Sequence, residues 1–331
     1  MKNSITSNDI AKLAGVSQTT VSLVFRDKWK GRVKAETAEK IIKIAKENNY
    51  RANRTASLLK SGKSNILAFV VPDILNPFFS RILHGLNIYI NKTQHSLFLL
   101  EERSNKNWHE FLEQEMYAGN IDLAIVCYAT YQKRFDKEIE KRIIFIDEPR
   151  EDFCCISVDF KNAVEEAVQL FINKGFERIG HIKTSLIKPT FTTRELAYER
   201  ILKKNGIEIN PNFTITIKDY TPQSAFSAVK ESSIHFHYPM AFICDDDMIA
   251  VGIYLFAREK GLKIPEDISV IGLDGSLFKD FLSPKLCSYD YDNDLLTKKI
   301  SEMAEGILKN KDRNITKTEN IKMFLTEGKS I

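Results

Sequence analysis

Short polar side chains, Ser17, Gln18, Thr19 and Thr20, stand at the head of a segment in which the apolar residues Val21, Val24 and Phe25 recur at i, i+3 and i+4. Hydroxyls and an amide that both donate and accept are suited, at the exposed start of a helix, to reading base edges in a DNA major groove. Upstream, Thr6 and Asp9 have the spacing of a capping box, in which each side chain satisfies an orphan backbone N–H. Ile10, Leu13 and Ala14 then share a face, Gly15 ends the helix where a positive φ is cheap, and Ser17 is placed to cap the next one. A second set of reactive side chains lies further on: Asn76 beside Phe78 and Phe79, then Asp159, Arg194, Asp247 and Asp274. Carboxylates and a forked guanidinium suit vicinal hydroxyls, while aromatic faces cover the apolar faces of a sugar or base. Plain structural roles are open to the same residues: Phe78 and Phe79 as core, Asp247 as a helix cap, Arg194 as the partner of a surface acid. Asp245, Asp246 and Asp247 supply oxygens of the kind that hold Mg²⁺ or Ca²⁺, but consecutive side chains point in different directions, which argues against a metal site.

Charge is divided unevenly. Residues 1–65 hold 14 Lys+Arg against 5 Asp+Glu, a net of +9, within a whole-chain charge of +4. A basic excess beside two helices and a tight turn fits neutralisation of phosphates; a solvated basic face is the plainer alternative. The length of 331 residues exceeds what one core usually serves and implies two or three domains. No apolar run reaches the roughly 18 residues of a membrane span, and the polar N-terminus does not read as a signal sequence, so a cytoplasmic location is expected. Cysteines 127, 154, 155, 244 and 287 form no CxxC pair and lie mostly in apolar runs, as reduced core residues do. The histidines show no metal-ligand spacing, and no cofactor is expected.

These side chains need elements to position them. Trp29 to Arg32 connect to a third helix, Ala35 to Asn48, whose Ile41, Ile42, Ile44 and Ala45 close a small core with Val33. Residues Arg51 to Ser64 are polar, basic and too short to fold alone, and read as a linker. From Asn65 the pattern alternates. Ile66–Val71, Leu97–Leu100, Ile121–Cys127 and Ile143–Ile146 are expected strands, with helices such as Phe79–Asn91 and Trp108–Ala118 between them. A second set of strands, Cys155–Val158, Arg178–Ile182, Phe213–Ile217, Ala241–Cys244 and Ile268–Ile271, alternates with helices Asn162–Asn173, Thr193–Lys204, Thr221–Ser232 and Met248–Lys260. Repeated βαβ units imply parallel sheets covered on both faces, with a ligand at the strand ends.

Three segments fall in a known order and spacing: Asp9-Ile-Ala-Lys-Leu-Ala-Gly-Val-Ser-Gln-Thr-Thr-Val-Ser22, Asn48-Asn-Tyr-Arg-Ala-Asn53-Arg54 and Val71-Pro-Asp-Ile-Leu-Asn76-Pro77-Phe78-Phe79. Together they resemble the LacI/GalR family of bacterial transcriptional regulators, and the resemblance extends to about residue 310. It implies a small all-α helix-turn-helix head over 1–50, a hinge over 51–64, and an effector-binding and dimerisation domain over 65–331. That domain would consist of two doubly wound parallel-sheet lobes of periplasmic-binding-protein type, about 65–160 with 291–325, and about 161–290. The chain would cross between lobes near 160 and 290, with Asp292–Lys309 returning to the first. Contacts to DNA are implied for Thr6, Ser17, Gln18, Thr19, Thr20, Ser22, Leu23, Arg26, Asn53, Arg54, Ala56, Leu59 and Lys60. Leu59 would enter the minor groove as an apolar wedge; alternatively Leu58 and Leu59 dock on the next domain. Tyr220 matches an aromatic that stacks on the effector, joining Asn76, Phe78, Phe79, Asp159, Arg194, Asp247 and Asp274.

The chain departs from the family pattern in several places. Lys34 stands where a serine usually caps the third helix. Leu23 replaces a base-reading arginine and is left either to touch a thymine methyl or to pack, and Arg26 replaces an asparagine. In the effector domain Asp246 and Phe160 replace asparagines and Ala197 a glycine. No P-loop, GxGxxG after a strand, GxSxG or metal-ligand box supports an enzyme. The expectation is a homodimeric repressor of carbohydrate genes on a near-palindromic operator, with a small molecule, most simply a sugar, bound between the lobes. Effectors of nucleobase or nucleoside type, or a partner protein, are the alternatives, with a sugar-binding protein lacking a DNA role behind them.

Overall fold

A computed structural model describes residues 5–25, 29–50, 63–102, 104, 107–127, 134–148, 153–185, 188–232, 238–309 and 318–331. Residues Met1–Ser64 and Asn65–Ile331 form separate compact units.

The first unit contains α1 (Ser7–Ala14), α2 (Gln18–Phe25) and α3 (Ala35–Glu47). Thr6 and Asp9 close the capping box, and Gly15 at φ 71° ends α1 in the left-handed region that glycine enters without strain. Ile10, Ala11, Ala14, Val21, Val24, Ala38, Ile41 and Ala45 make the core, with Val16, Trp29, Ile44 and Tyr50 packed around it. Leu13 and Ile42 correct the expected inward faces, being 54% and 49% exposed. The small Ala11 and Ala38 lie at the helix contacts instead and let the helices approach closely. Lys34 precedes α3 in extended conformation and gives it no side-chain cap.

The second unit holds two six-stranded sheets. The elements of its first half are β1 (Ile66–Val71), α4 (Pro77–Ile90), β2 (Ser96–Glu101), α5 (Trp108–Tyr117), β3 (Leu123–Cys127), α6 (Lys137–Glu140), β4 (Ile143–Ile146) and β5 (Cys154–Val158). There follow α7 (Phe160–Asn173), β6 (Ile179–Thr184), α8 (Pro189–Lys204), β7 (Thr214–Ile217), α9 (Pro222–Glu231), β8 (Met240–Cys244), α10 (Asp247–Lys260), β9 (Ile268–Leu273), α11 (Phe278–Phe281) and β10 (Cys287–Tyr291). The chain closes with α12 (Asn293–Lys309), β11 (Thr318–Ile321) and β12 (Met323–Leu325). The first sheet has the order β11-β5-β4-β3-β1-β2 and is parallel throughout. The second, β12-β10-β9-β8-β6-β7, is parallel except for the antiparallel edge strand β12. Strands β3, β4, β8 and β9 are buried at every residue, which explains why they read as unbroken apolar runs rather than alternating ones.

Two expectations about strand membership are corrected. Strand β5, grouped above with the second set, pairs with β4 in the first sheet. The C-terminal segment does not stay with the first lobe to about residue 325: β11 pairs with β5, and two residues later β12 pairs with β10 in the second sheet. The chain therefore passes between the sheets three times, after β5, after β10 and at Lys322. Helix α12 packs on α4 of the first lobe, and the contact is close because residue 85 is glycine: a Cβ there would lie 2.6 Å from Thr297 Cγ2. All five cysteines are buried and unpaired.

Candidate DNA-reading helix and effector cleft

Helix α2 begins at Ser17, whose Oγ accepts from the Thr20 N–H at 3.1 Å and lies 2.9 Å from Thr20 Oγ1. Gln18 reaches back so that Nε2 donates to Ser7 Oγ at 2.8 Å, joining the starts of the two helices. Thr19 is left exposed at the helix start, with Ser22 and Leu23 half-buried on the same element. Thr6 is engaged in its cap, its Oγ1 donating to Asp9 Oδ2 at 2.6 Å. Those hydrogen bonds from Thr6 hold the Asp9 carboxyl below its ordinary range. Phe25 packs edge-on against Tyr50 at 5.2 Å, fastening the end of α2 to the segment that follows α3. Arg26, Asn53, Arg54, Ala56, Leu59 and Lys60 lie outside the described residues.

In the second unit the carboxyl ends of the two sheets meet. Strand order reverses between β1 and β3 in one and between β6 and β8 in the other, and loops leaving such switch points leave a crevice for ligands. Asn76, just past β1, caps α4 through Oδ1, which accepts from the Phe78 N–H at 2.8 Å. Its Nδ2 crosses the crevice and donates to Asp246 Oδ2 at 2.6 Å. Arg81, one turn further along α4, donates to the Asp274 and Gly275 carbonyls at 2.5 and 3.2 Å and to Asp290 Oδ1 at 2.9 Å. Arg194 on α8 is 1% exposed; its guanidinium lies 3.6 Å above the Phe160 ring and 4.9 Å from Phe191, and Nη1 donates to the Asp245 carbonyl at 2.5 Å. Phe78 packs between Phe160 and Tyr291, with ring centroids at 6.0 and 5.4 Å, and Phe79 lies edge-on to it at 5.3 Å; both rings are buried in the core cluster beneath the crevice. Tyr220 follows β7 and stacks obliquely on Phe191 at 5.8 Å.

Of the expected effector residues, the fold thus brings Asn76, Phe78, Arg194, Tyr220 and Asp274 together. It directs Asp159 and Asp247 elsewhere. Asp159 caps α7, accepting from the Asn162 N–H at 3.3 Å and from Asn162 Nδ2 at 2.6 Å. Asp247 braces the second lobe from within, accepting from Ser288 Oγ and from the Ser276 N–H, both at 2.6 Å. The three consecutive acids diverge: Asp245 pairs with His181 Nε2 at 2.8 Å, Asp246 faces the crevice and Asp247 faces β10.

Asp147, unremarked in the sequence, belongs here as well. It follows β4 at φ 56°, and Asp274 follows β9 at φ 90°; both are strained positions for a residue with a Cβ, of the kind that gathers at ligand sites. Asp147 Oδ1 accepts from the Val158 N–H at 2.6 Å, while Oδ2 finds no hydrogen-bond partner among the described residues. The same holds for Asp274 Oδ1 and for the hydroxyls of Tyr220 and Tyr291. Burial raises the Asp147 carboxyl to about 7, against the opposing pull of the Val158 N–H and Arg194. Burial also raises Asp246 and, reinforced by the neighbouring charge of Asp246, lifts Asp274 well above the usual carboxylate range. The available sequence signal was a carboxylate directly after a wholly apolar strand; Asp147 has it as clearly as Asp274.

A small basic three-helix unit followed by a two-lobed domain with a polar crevice at its switch points defines a ligand-responsive DNA-binding regulator. Residues 6–53 match the family model for bacterial regulatory proteins of the lacI family, and residues 168–331 match that for a periplasmic binding protein-like domain. The chain joins a lacI-family DNA-binding domain to a periplasmic-binding-protein-like domain and is a transcriptional regulator. It is 25% identical over 290 residues to the catabolite control protein A of Priestia megaterium, covering 86% of each chain. Over 317 residues it is 28% identical to the ribose operon repressor of Escherichia coli, covering 92% of each. Its fold is that of the Lac repressor dimer bound to operator and an anti-inducer, with a TM-score of 0.83 at 20% identity over 98% of each chain. Among the described residues no helix is long and apolar enough to cross a membrane.

Proposed function

We propose that this regulator is a cytoplasmic repressor of carbohydrate genes that binds a near-palindromic operator as a homodimer. The same reading assigns residues 1–50 to DNA, 51–64 to the hinge and the remainder to effector binding and dimerisation. Thr19, Gln18, Thr20 and Leu23 read base edges, Thr6, Ser17 and Ser22 set the helices on the backbone, and Arg26, Asn53, Arg54, Ala56 and Lys60 add contacts around the Leu59 wedge. The effector is a small polyhydroxylated molecule held between the lobes. The observation that carries this reading is the convergence of buried, unpartnered oxygens, Asp147 Oδ2, Asp274 Oδ1 and the Tyr220 and Tyr291 hydroxyls, on a crevice already bridged by Asn76. Buried oxygens call for hydrogen-bond donors, which vicinal hydroxyls supply. A nucleobase or nucleoside is the second reading, favoured by the Phe78, Phe160 and Phe191 rings around Arg194.

Ligand contacts that replace the Asn76–Asp246 bridge change the angle between the lobes. By linkage the ligand alters operator affinity by the factor that the operator alters ligand affinity. A thermal-shift screen of free sugars, sugar phosphates, nucleobases and nucleosides tests the pocket. A true effector at about 100 times its dissociation constant stabilises the fold by about 2.7 kcal/mol and raises the melting point by several degrees. If none shifts the melting point while operator binding persists, the pocket is wrong and control by a partner protein takes its place.

A further inference from the structure

The crevice holds more acid than its own cation can balance. Asp246 and Asp274 are 3% and 4% exposed and share a side-chain hydrogen bond, so two carboxyls lie against each other away from water. Asp147, 3% exposed, belongs to the same buried set through Arg194. Arg194 is the buried cation among them, because Arg81 is already engaged by Asp290 and two carbonyls. Asp247 adds a further negative charge from behind while remaining tied to Ser276 and Ser288. A second, independent observation concerns Tyr291. It is 1% exposed, its hydroxyl has no hydrogen-bond partner among the described residues, and its ring lies 4.8 Å beneath the Arg81 guanidinium, in the field of Asp274, Asp290 and Asp147.

Resting on the effector reading above, we infer that the ligand carries a protonated amine, seated between the carboxyls of Asp246 and Asp274, on a polyhydroxylated frame: an amino sugar or iminosugar rather than a neutral sugar. An ammonium has three donors and no acceptor, which matches oxygens that accept and repel one another. Residue 246 is the discriminator. An asparagine there would offer an amide N–H and no charge, a partner for a neutral hydroxyl; an aspartate beside Asp274 penalises every guest that cannot neutralise the pair. Before a ligand binds, a proton shared by the two carboxyls does this, and the incoming ammonium displaces it. Binding therefore releases protons, and amine affinity rises with pH until the pair is ionised without help. The groups that set this titration are Asn76, which caps α4, and Arg81 on α4, Asp147 after β4, Arg194 on α8, Tyr220 after β7, the Met248 N–H, which donates to Asp246 Oδ1 at 2.6 Å, and Asp247 at the start of α10, and Tyr291 on β10.

The test is titration calorimetry of the intact protein with 2-amino-2-deoxyhexoses, iminosugars, the parent neutral hexoses and the N-acetylated amino sugars, at about pH 5.5 and about pH 7.5, in two buffers of different ionisation enthalpy. At the higher pH an amine-bearing compound should bind at least about tenfold tighter than its hydroxyl and N-acetyl counterparts. Its affinity should fall toward the lower pH, and the two buffers should give heats that differ by the released protons. Asp246→Asn should reduce the preference for the amine over its neutral analogues to within about twofold. Neutral sugars or nucleobases that bind equally well or better, with affinity independent of pH, would overturn this inference and leave the pocket standing. Silence from every series, amine and neutral alike, would remove the pocket together with it. The wild-type pH comparison decides even if the variant fails to fold.

Discussion

Single carboxyls in the effector domain divide into two kinds, and their environments tell them apart. Asp247 has both oxygens bonded by groups of its own lobe, whereas Asp147 and Asp274 each keep an oxygen without a hydrogen-bond partner among the described residues. Both Asp147 and Asp247 are raised to about 7, chiefly by burial. Because an unfolded aspartate ionises near about 3.9, the folded chain binds the extra protons between these limits. The stability this confers is complete below about pH 4 and is lost as pH rises through about 7. The melting temperature of the ligand-free protein should therefore fall between about pH 5 and about pH 8. Asp147→Asn should flatten the profile; a melting point that climbs over this range would contradict the buried acids. Asp247→Ala removes the acceptor for the Ser276 N–H and Ser288 Oγ and should cost on the order of 2–4 kcal/mol in urea unfolding. Ligand affinity should survive in whatever fraction stays folded.

At the scale of elements, helix ends and close approaches carry the architecture. The Thr6–Asp9 box and the Ser17 cap place α1 and α2 so that the start of α2 stays exposed. In the first lobe the contact of α4 with α12 depends on Gly85. A side chain there meets Thr297 Cγ2, Thr297 Oγ1 and Asn293 Nδ2 at 2.6, 2.7 and 3.0 Å. Gly85→Val should lower stability by about 1–3 kcal/mol, since neither helix can withdraw without disturbing the core beneath. Unchanged unfolding in urea would mean that α12 is free to shift. The same pair of helices places Asn76 and Arg81, so the variant should also weaken ligand binding more than operator binding.

Across the whole chain, function is divided between a basic unit and an acidic one. A head of net +9 over residues 1–65 binds DNA through phosphate neutralisation. Operator affinity should drop about a thousandfold or more between about 50 and about 200 mM salt if the dimer makes six to ten phosphate contacts. Leu59→Ala should reduce affinity for the operator far more than affinity for random duplex, with the salt slope preserved, because a wedge acts on base steps rather than on phosphates. Equal losses on both duplexes would remove Leu59 from the groove.

Local patterns in the sequence determined the elements. Capping boxes, an i, i+3, i+4 stripe and apolar runs between turn residues act over a few residues, and they located nine of the twelve described strands to within two residues at each end, missing β10, β11 and β12. The character of the site was legible too, because polar residues that follow an apolar strand must sit at its carboxyl end. Which of those residues face the crevice was decided only by tertiary structure. Asp246 and Asp247 are neighbours with the same chemistry, yet one meets Asn76 across the lobes and the other Ser288 within its own, since successive side chains at a helix start point in different directions. Asp159, which also follows a strand, is taken up by the Asn162 N–H of its own helix. Periodicity alone did not assign strands to sheets: β5 was run together with the second set although the expected crossing near residue 160 left it in the first lobe, and β12 is a short segment whose sheet is chosen by pairing with a distant partner.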